Sequence, residues 1–340
     1  MNNIVKFAAL NTKIRVLSRN ILSDYDYKEI LKKKNVNRVL DYLKNNTKYN
    51  FDFGDKYNLD KVEICFQKNL INQYSKIMSF LPIKYKKIFK ALLVRYEIEN
   101  IKKRIRLIDN GEKNTFENKI NSKYFQININ TEKNYYKLSE FIETLKNTPY
   151  YKILKNHLNQ KNRLFYMEMS LDIYYFNNLE KKIKKILKKN KKNTILEVLG
   201  KNSDLLNIQW IYRALKYYEL NSEELMNYVL LTGYHFKYDK LKALCYSKSV
   251  NEFIKRVKNS EYHFIFDKDE DFELAMEKNV EKYIYHLFKK LNQANDMDFN
   301  KAIYYLHQVE YEMRDLFTIL ESKKYNLENK KIKDLLVREF

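Results

Sequence analysis

A segment of about a dozen residues occurs three times in this chain, at intervals of roughly 100 residues. The copies are residues 36–49, 138–150 and 250–262, and each has apolar residues at relative positions 0, 3, 4 and 7, which form one face of an α-helix. Each copy then continues with Lys-Asn, a threonine or serine, and a tyrosine. Because the interval exceeds that of common solenoid repeats, the pattern predicts one protein assembled from three copies of a helical unit.

The shortage of turn-forming residues predicts the fold class. Only four glycines and two prolines occur among 340 residues, whereas β-sheets and long loops need these residues for their turns. We therefore expect an all-α protein in which three pseudo-symmetric helical units pack into one funnel-shaped body. From the repeats, the units are expected at residues 1–115, 116–222 and 223–340, in one compact body without flexible linkers.

The net charge favours an acidic partner. Sixty-five Lys and Arg against 43 Asp and Glu give +22, which is typical of proteins that bind a polyanion or an anionic membrane surface. Codon bias is the competing explanation, because Lys, Asn, Ile and Tyr have AT-rich codons. The 30 tyrosines beside many lysines would also suit single-stranded nucleic acid, so a basic helical nucleic-acid-binding protein is the alternative function.

A second repeated motif supports the triplication. Asn100 is followed by Ile and, six residues on, by Arg106; Asn207 is followed in the same way by Ile and Arg213. A third, degenerate counterpart has Asp315 at the Asn position. A polar side chain inside a helix is stable only when it is hydrogen-bonded, so we expect a structural role for these Asn residues, with ligand contact as the alternative.

Helix boundaries can be predicted at several positions. Ser23, with Asp26 three residues later, predicts a capping box at a helix start. Gly111, Gly200 and Gly233 each follow an apolar-periodic stretch and are expected to end helices.

Sequence signatures of catalysis are lacking. The stretch Gly200–Ser203 lacks the glycines of a phosphate-binding loop, and the five histidines have no metal-ligand spacing. Acid pairs such as Glu97 and Glu99 are ordinary in a chain with 43 carboxylates. We expect no enzyme activity in the chain itself, no cofactor and no metal site, and no stretch is apolar enough to span a membrane.

Motifs in a fixed order resemble a known family. In chain order they are Ala8–Ser18, Leu22–Tyr27, Val36–Tyr49, Glu99–Arg106, Asn207–Arg213, Gly233–Phe236 and the segment that ends at Tyr262. Together they resemble the C subunit of the A-type and V-type rotary ATPases, the equivalent of the d subunit of the eukaryotic vacuolar enzyme. Glu312–Leu316 departs from the Asn-Leu-Arg type of sequence usual in that family.

The resemblance implies a non-catalytic central-stalk component of the rotor. Such a protein lies peripherally on the cytoplasmic face of the membrane, binds the D and F subunits of the central shaft, and rests on the ring of proteolipid subunits that carries H⁺ or Na⁺. Contact with anionic headgroups would suit its basic surface. The family-motif positions are the candidate site residues, namely Asn11, Arg15, Asn100, Arg106, Asn207, Arg213, Tyr49, Tyr150 and Tyr262.

Overall fold

The computed structural model describes residues 3–49, 58–112, 124–125, 127, 135–187, 194–218, 220–266, 272–293 and 299–340. Within these ranges the chain forms fifteen α-helices and one short 3-10 helix, and no β-strand. The all-α class predicted from the shortage of glycine and proline is therefore confirmed.

The helices follow one another in the order α1 (Asn3–Ser18), α2 (Asp24–Lys32), α3 (Val36–Asn46), α4 (Leu59–Ser79), α5 (Ile83–Asp109), α6 (Leu138–Glu143), α7 (Pro149–Lys155), α8 (Arg163–Ile186), α9 (Thr194–Tyr217), α10 (Ser222–Met226), α11 (Tyr238–Cys245), α12 (Val250–Lys258), α13 (Phe272–Gln293), α14 (Asn300–Lys324) and α15 (Asn329–Leu335). The 3-10 helix is His263–Phe266. The six longest helices are α4, α5, α8, α9, α13 and α14, which run for 21 to 27 residues and contribute much of the buried apolar core.

Two compact units contain these helices. The first consists of Met1–Ile83 and Glu273–Phe340, and α14 packs there against α1, α3, α4 and α15. The buried residues of α14 include charged ones, among them Glu312 and Asp315. The two ends of the chain therefore belong to the same unit, with α14 as its central helix.

The second compact unit is Lys84–Phe272. In it α8 packs against α7 and α9, α9 packs against α12, and the short helices α10, α11 and α12 contact one another in succession. The long helix α5 also lies in this unit and buries both apolar residues and the carboxylate of Glu97.

The helix ends are formed largely by the residues that the sequence indicates. Ser23 caps α2, and its side chain and that of Asp26 each bind the other's backbone N–H, which is the predicted capping box. Gly111 follows α5 with a φ of 68°, the left-handed conformation that favours glycine.

The predictions that Gly200 and Gly233 end helices are wrong. Gly200 lies inside α9, where an added Cβ would be 3.0 Å from the Cβ of Tyr234. Gly233 lies in the loop between α10 and α11, beyond the end of α10 at Met226. Close packing of the loop that follows α10 requires glycine at position 233 and puts Gly200 in tight contact with Tyr234, and a sequence pattern reveals neither.

The three-unit division at residues 1–115, 116–222 and 223–340 stays a prediction. Its first boundary falls at residues outside the described ranges. The compact units follow packing contacts instead of sequence repeats, because residues 84–115 of the first copy lie in the second unit.

Candidate functional site: three tyrosine–carboxylate joints

The three repeated segments form helices that begin at the first apolar residue of each copy. These helices are α3, α6 and α12, which start at Val36, Leu138 and Val250. Asn35 and Ser249 cap α3 and α12 with side-chain oxygens, whereas Lys137 provides no side-chain cap for α6. The helical part of the repeat is thus formed locally, from apolar periodicity with capping in two copies out of three.

A hydroxyl residue two positions before the tyrosine fixes the turn after each helix. Its hydroxyl donates to a carbonyl of the preceding turn and accepts the backbone N–H of the tyrosine. The three sets are Thr47 with Leu43 O (2.6 Å) and Tyr49 N (3.0 Å), Thr148 with Leu145 O (2.7 Å) and Tyr150 N (3.3 Å), and Ser260 with Val257 O (2.7 Å) and Tyr262 N (3.1 Å). This turn explains why every copy has threonine or serine at that position.

Each repeated tyrosine is buried and donates its hydroxyl proton to a buried carboxylate. The pairs are Tyr49 with Glu312 Oε1 (2.6 Å), Tyr150 with Glu97 Oε2 (2.9 Å) and Tyr262 with Asp204 Oδ2 (2.7 Å). The exposed fraction of Glu97, Asp204 and Glu312 is 1%, 0% and 4%. We refer to these three pairs as the tyrosine–carboxylate joints.

The joints follow a cyclic order along the chain. Tyr150 of the second copy pairs with Glu97, which lies between the first and second copies, and Tyr262 of the third pairs with Asp204, which lies between the second and third. Tyr49 of the first copy pairs with Glu312, 263 residues away and beyond the third copy. The predicted three-unit division would make each joint a bond between one unit and the unit before it, with the first unit bonded to the last.

The carboxylates also fix the backbone that leads into each copy. Glu312 accepts the N–H of Leu22 (2.6 Å), just before α2, and Glu97 accepts the N–H of Ile127 (2.7 Å). Hydrogen bonds from backbone N–H groups and a tyrosine hydroxyl satisfy both oxygens of each carboxylate, which is what makes such a buried acid tolerable.

Asp204 accepts hydrogen bonds from four groups. Its carboxylate accepts the N–H groups of Tyr234 (3.1 Å), His235 (2.7 Å) and Phe236 (3.2 Å) in addition to the Tyr262 hydroxyl. Burial raises the pKa of Asp204, and the hydrogen bonds oppose that rise. The carboxylate therefore organises the whole loop that precedes α11.

Glycine is required at position 233 because the loop passes so close to Asp204. A Cβ there would lie 2.1 Å from Asp204 Oδ1 and 2.5 Å from the carbonyl oxygen of Phe236. Both distances are far below van der Waals contact, so any other residue displaces either the carboxylate or the loop.

Replacing Gly233 with alanine should lower the free energy of unfolding by about 3 kcal/mol, since overpacking displaces the joint. Gly111→Ala is the control. An added Cβ at position 111 would meet open space, so only the unfavourable φ remains and the free energy of unfolding should fall by about 1 kcal/mol. Urea denaturation of the two variants measures the difference. Equal losses would mean that the loop can move away from Asp204 without cost.

Burial also shifts the pKa values of both partners in the Tyr49–Glu312 joint. It raises the pKa of Glu312 to about 7, against the two donors that favour the carboxylate. Burial likewise raises the pKa of the neighbouring Asp315 to about 6 and that of the Tyr49 hydroxyl far above its ordinary value. The tyrosine remains a proton donor at every physiological pH.

The Asn positions of the second motif lie one helical turn after the joint carboxylates. The side chain of Asn207 donates to the carbonyl of Leu230 (2.8 Å) and accepts the N–H of the same residue (2.7 Å). Asp315 instead accepts two N–H groups, from Val337 (2.8 Å) and Arg338 (3.1 Å). The Asn207 amide thus faces one backbone donor and one backbone acceptor, whereas the Asp315 carboxylate faces two backbone donors. Each residue type therefore matches the backbone groups that it binds.

The exchange Asn207→Asp should therefore destabilise the protein by about 3 kcal/mol near pH 8, since it places a carboxylate oxygen against the carbonyl of Leu230. At about pH 5 the loss should be smaller, because a protonated carboxyl can donate to that carbonyl. Denaturation at the two pH values tests this, with Asp109→Asn as a control at a partly exposed carboxylate. A loss independent of pH would contradict the assigned hydrogen bonds.

The remaining predicted site residues have separate local surroundings. Asn11 is buried on α1 and donates to the carbonyl of Phe7 (2.9 Å), and Arg15 is exposed in the last turn of that helix. Asn100 and Arg213 are half-buried on α5 and α9. Arg106 forms a two-pronged ion pair with Glu168 on α8 (2.5 and 2.6 Å). Their expected contact with partners stays a prediction.

The joint carboxylates are the residues that sequence reasoning missed. Glu97 was treated as an ordinary acid, and Asp204 and Glu312 carried no signature of their own. A signal was present, because each stands three residues before Asn100, Asn207 or Asp315. The mixture of Glu and Asp at one position and of Asn and Asp at the other obscured this spacing.

Neither a metal-binding cluster nor a membrane-spanning helix is found among the described residues. In that part of the chain, no cluster of His, Cys, Asp or Glu side chains has the geometry to hold a metal ion. Likewise, none of the helices described above combines the length and apolar character needed to cross a bilayer.

Comparison with known proteins gives a consistent result. A family described as ATP synthase (C/AC39) subunit matches residues 10–335. Proteins named as the C subunit of A-type ATP synthase are similar over nearly the full length: that of Methanocaldococcus jannaschii is 25% identical over 98% of this chain and 87% of its own length. Those of Methanosphaera stadtmanae and Methanosarcina mazei are each 24% identical, over 96% and 97% of this chain and 86% and 92% of their own lengths.

These matches confirm the resemblance drawn from the ordered motifs. They also confirm that the chain is a non-catalytic part of a rotary ATPase complex rather than an enzyme by itself. The comparisons give no support to the alternative of a nucleic-acid-binding protein. This chain belongs to the ATP synthase (C/AC39) subunit family.

Proposed function

We propose that this protein is the central-stalk component that couples the rotating shaft of an A-type or V-type ATPase to the membrane rotor ring. The observation that carries the proposal is the family match across residues 10–335. The expected partners are the D and F subunits of the shaft and the ring of proteolipid subunits, on the cytoplasmic face of the membrane. The ring and the head, rather than this protein, determine whether H⁺ or Na⁺ is moved and whether ATP is made or consumed.

The tyrosine–carboxylate joints support a mechanical role. A coupling protein must pass torque without bending, and close-packed helices deform little under load. Here the turns between helices are additionally bonded to long helices by carboxylates inside the protein, where water does not compete for the hydrogen bonds. The triplicated joints also support the proposal of three pseudo-symmetric units.

The charge of the chain supports contact with an acidic surface. A net charge of +22 would favour binding close to anionic lipid headgroups or to acidic loops of the ring. We propose such contact as an accessory to the protein–protein contacts, since surface electrostatics contribute little at physiological salt.

Affinity purification of the tagged protein from native membranes tests the proposal. The D and F subunits and the ring proteolipid should be recovered together with the bait, and a tagged unrelated basic helical protein serves as the control. Recovery of none of these three partners, or recovery equal to that of the control, would refute the proposed function.

A further inference from the structure

We propose that the three tyrosine–carboxylate joints act together as the torsional lock of this protein, so that tight coupling of ATP turnover to ion movement depends on Tyr49, Tyr150 and Tyr262. This inference rests on the proposed function. These tyrosines are positioning residues: they hold helices in place and touch no reacting group.

The recurrence of the joint after every repeated helix is the first observation behind the lock. Each joint bonds the tyrosine of one copy to a long helix outside that copy, Tyr49 to α14 in the first compact unit, and Tyr150 and Tyr262 to α5 and α9 in the second. Every copy therefore has one such bond, and each compact unit contains at least one.

The burial of the joints is the second observation. All three carboxylates and all three tyrosines are at most 4% exposed, and each carboxylate also binds at least one backbone N–H of the segment that leads into the copy. Breaking a joint therefore removes a hydrogen bond at a place that water does not readily reach, so the bond is costly to break as well as directional.

Other tyrosine–carboxylate bonds of the chain serve as a comparison set, which separates the effect of the buried joints from that of tyrosine hydrogen bonds in general. Tyr42 bonds Asp26 (2.9 Å), Tyr151 bonds Glu143 (2.8 Å) and Tyr246 bonds Glu223 (3.1 Å). These are also tyrosine–carboxylate bonds, one for each copy. They differ in that both partners belong to the same copy and the bonds are partly or fully exposed.

The experiment compares two triple variants of the full chain. The joint variant is Tyr49→Phe, Tyr150→Phe and Tyr262→Phe, and the control variant is Tyr42→Phe, Tyr151→Phe and Tyr246→Phe. Each removes three hydroxyl groups and no carbon atoms. Hydrogen exchange of the Leu22, Ile127 and His235 amides is measured in the free protein, and ions moved per ATP hydrolysed are measured in the assembled rotary complex.

In the joint variant, exchange at the three amides should accelerate about tenfold, and ions moved per ATP should fall about threefold while ATP hydrolysis continues. The control variant should stay within about twofold of wild type in both measurements. Loss of the protein from the complex would also lower ions moved per ATP, so both measurements are made on purified complexes in which the variant is present in the same amount as the wild-type protein.

The outcomes separate this inference from the proposed function. Unchanged exchange, or accelerated exchange with unchanged ion movement per ATP, would overturn the lock. If the wild-type chain did not enter a rotary complex, the proposed function itself would fail and the lock with it. Should the joint variant not fold, the three single Tyr→Phe variants replace it, each expected to show the exchange effect at the amide of its own joint.

Discussion

Replacing Asp204 with alanine should produce the largest loss of stability of any single substitution considered for this chain. Its carboxylate accepts three backbone N–H groups and the hydroxyl of Tyr262, so alanine removes four hydrogen bonds, although the Tyr234 N–H keeps a second acceptor in the carbonyl of Gly200 (3.2 Å). We expect the free energy of unfolding to fall by about 4–6 kcal/mol, since each donor that loses its acceptor costs about 1–3 kcal/mol and water enters to satisfy some of them.

Equilibrium denaturation in urea measures this loss, and Asp109→Ala is the matched control. Asp109 pairs with Arg163 at a partly exposed position, so its removal should cost less than about 1 kcal/mol. Near-identical losses for the two variants would show that Asp204 does not organise the loop before α11.

The second large effect concerns pH. The pKa of Glu312 rises from 4.5 to about 7 in the folded protein because the carboxyl is buried. An acid with a raised pKa binds its proton more tightly when folded, so its contribution to stability is complete below about pH 4.5 and is lost as the pH rises through about 7. Asp315, with a pKa raised to about 6, acts in the same direction.

The unfolding free energy should therefore fall by about 2 kcal/mol between about pH 5 and pH 8 through Glu312 alone. The charged groups that interact with it include Asp26 and Arg338, and the Arg338 charge moderates the effect. The titratable hydroxyls around it include those of Tyr27, Tyr49, Tyr285 and Tyr305. Glu312→Gln removes the titrating group, so the stability difference between wild type and this variant isolates it. A difference that stays constant over this range would contradict the assignment to Glu312.

The helical part of the site could be predicted from sequence because it is encoded locally. Apolar periodicity fixed the starts of α3 and α12 at Val36 and Val250, and Ser23 with Asp26 fixed the capping box of α2. The tyrosines stood out because they recur at the same position after each helix.

The partners of the tyrosines could not be predicted in the same way. Tyr49 and Glu312 are 263 residues apart, and no local pattern links them. The role of Gly233 is hidden for a related reason, because its need for glycine comes from the Asp204 carboxylate 29 positions earlier in the chain. Tertiary contacts decided both cases, and periodicity carries no information about them.

Double-mutant cycles on the three joints test the central claim most directly. The pairs are Tyr49→Phe with Glu312→Leu, Tyr150→Phe with Glu97→Leu, and Tyr262→Phe with Asp204→Leu. We predict a favourable interaction free energy of about 1.5–3 kcal/mol in every joint, as for hydrogen bonds to charged groups, and additivity within about 0.5 kcal/mol for the mismatched pair Tyr49→Phe with Asp204→Leu. An interaction free energy near zero in any of the three joints would contradict the account.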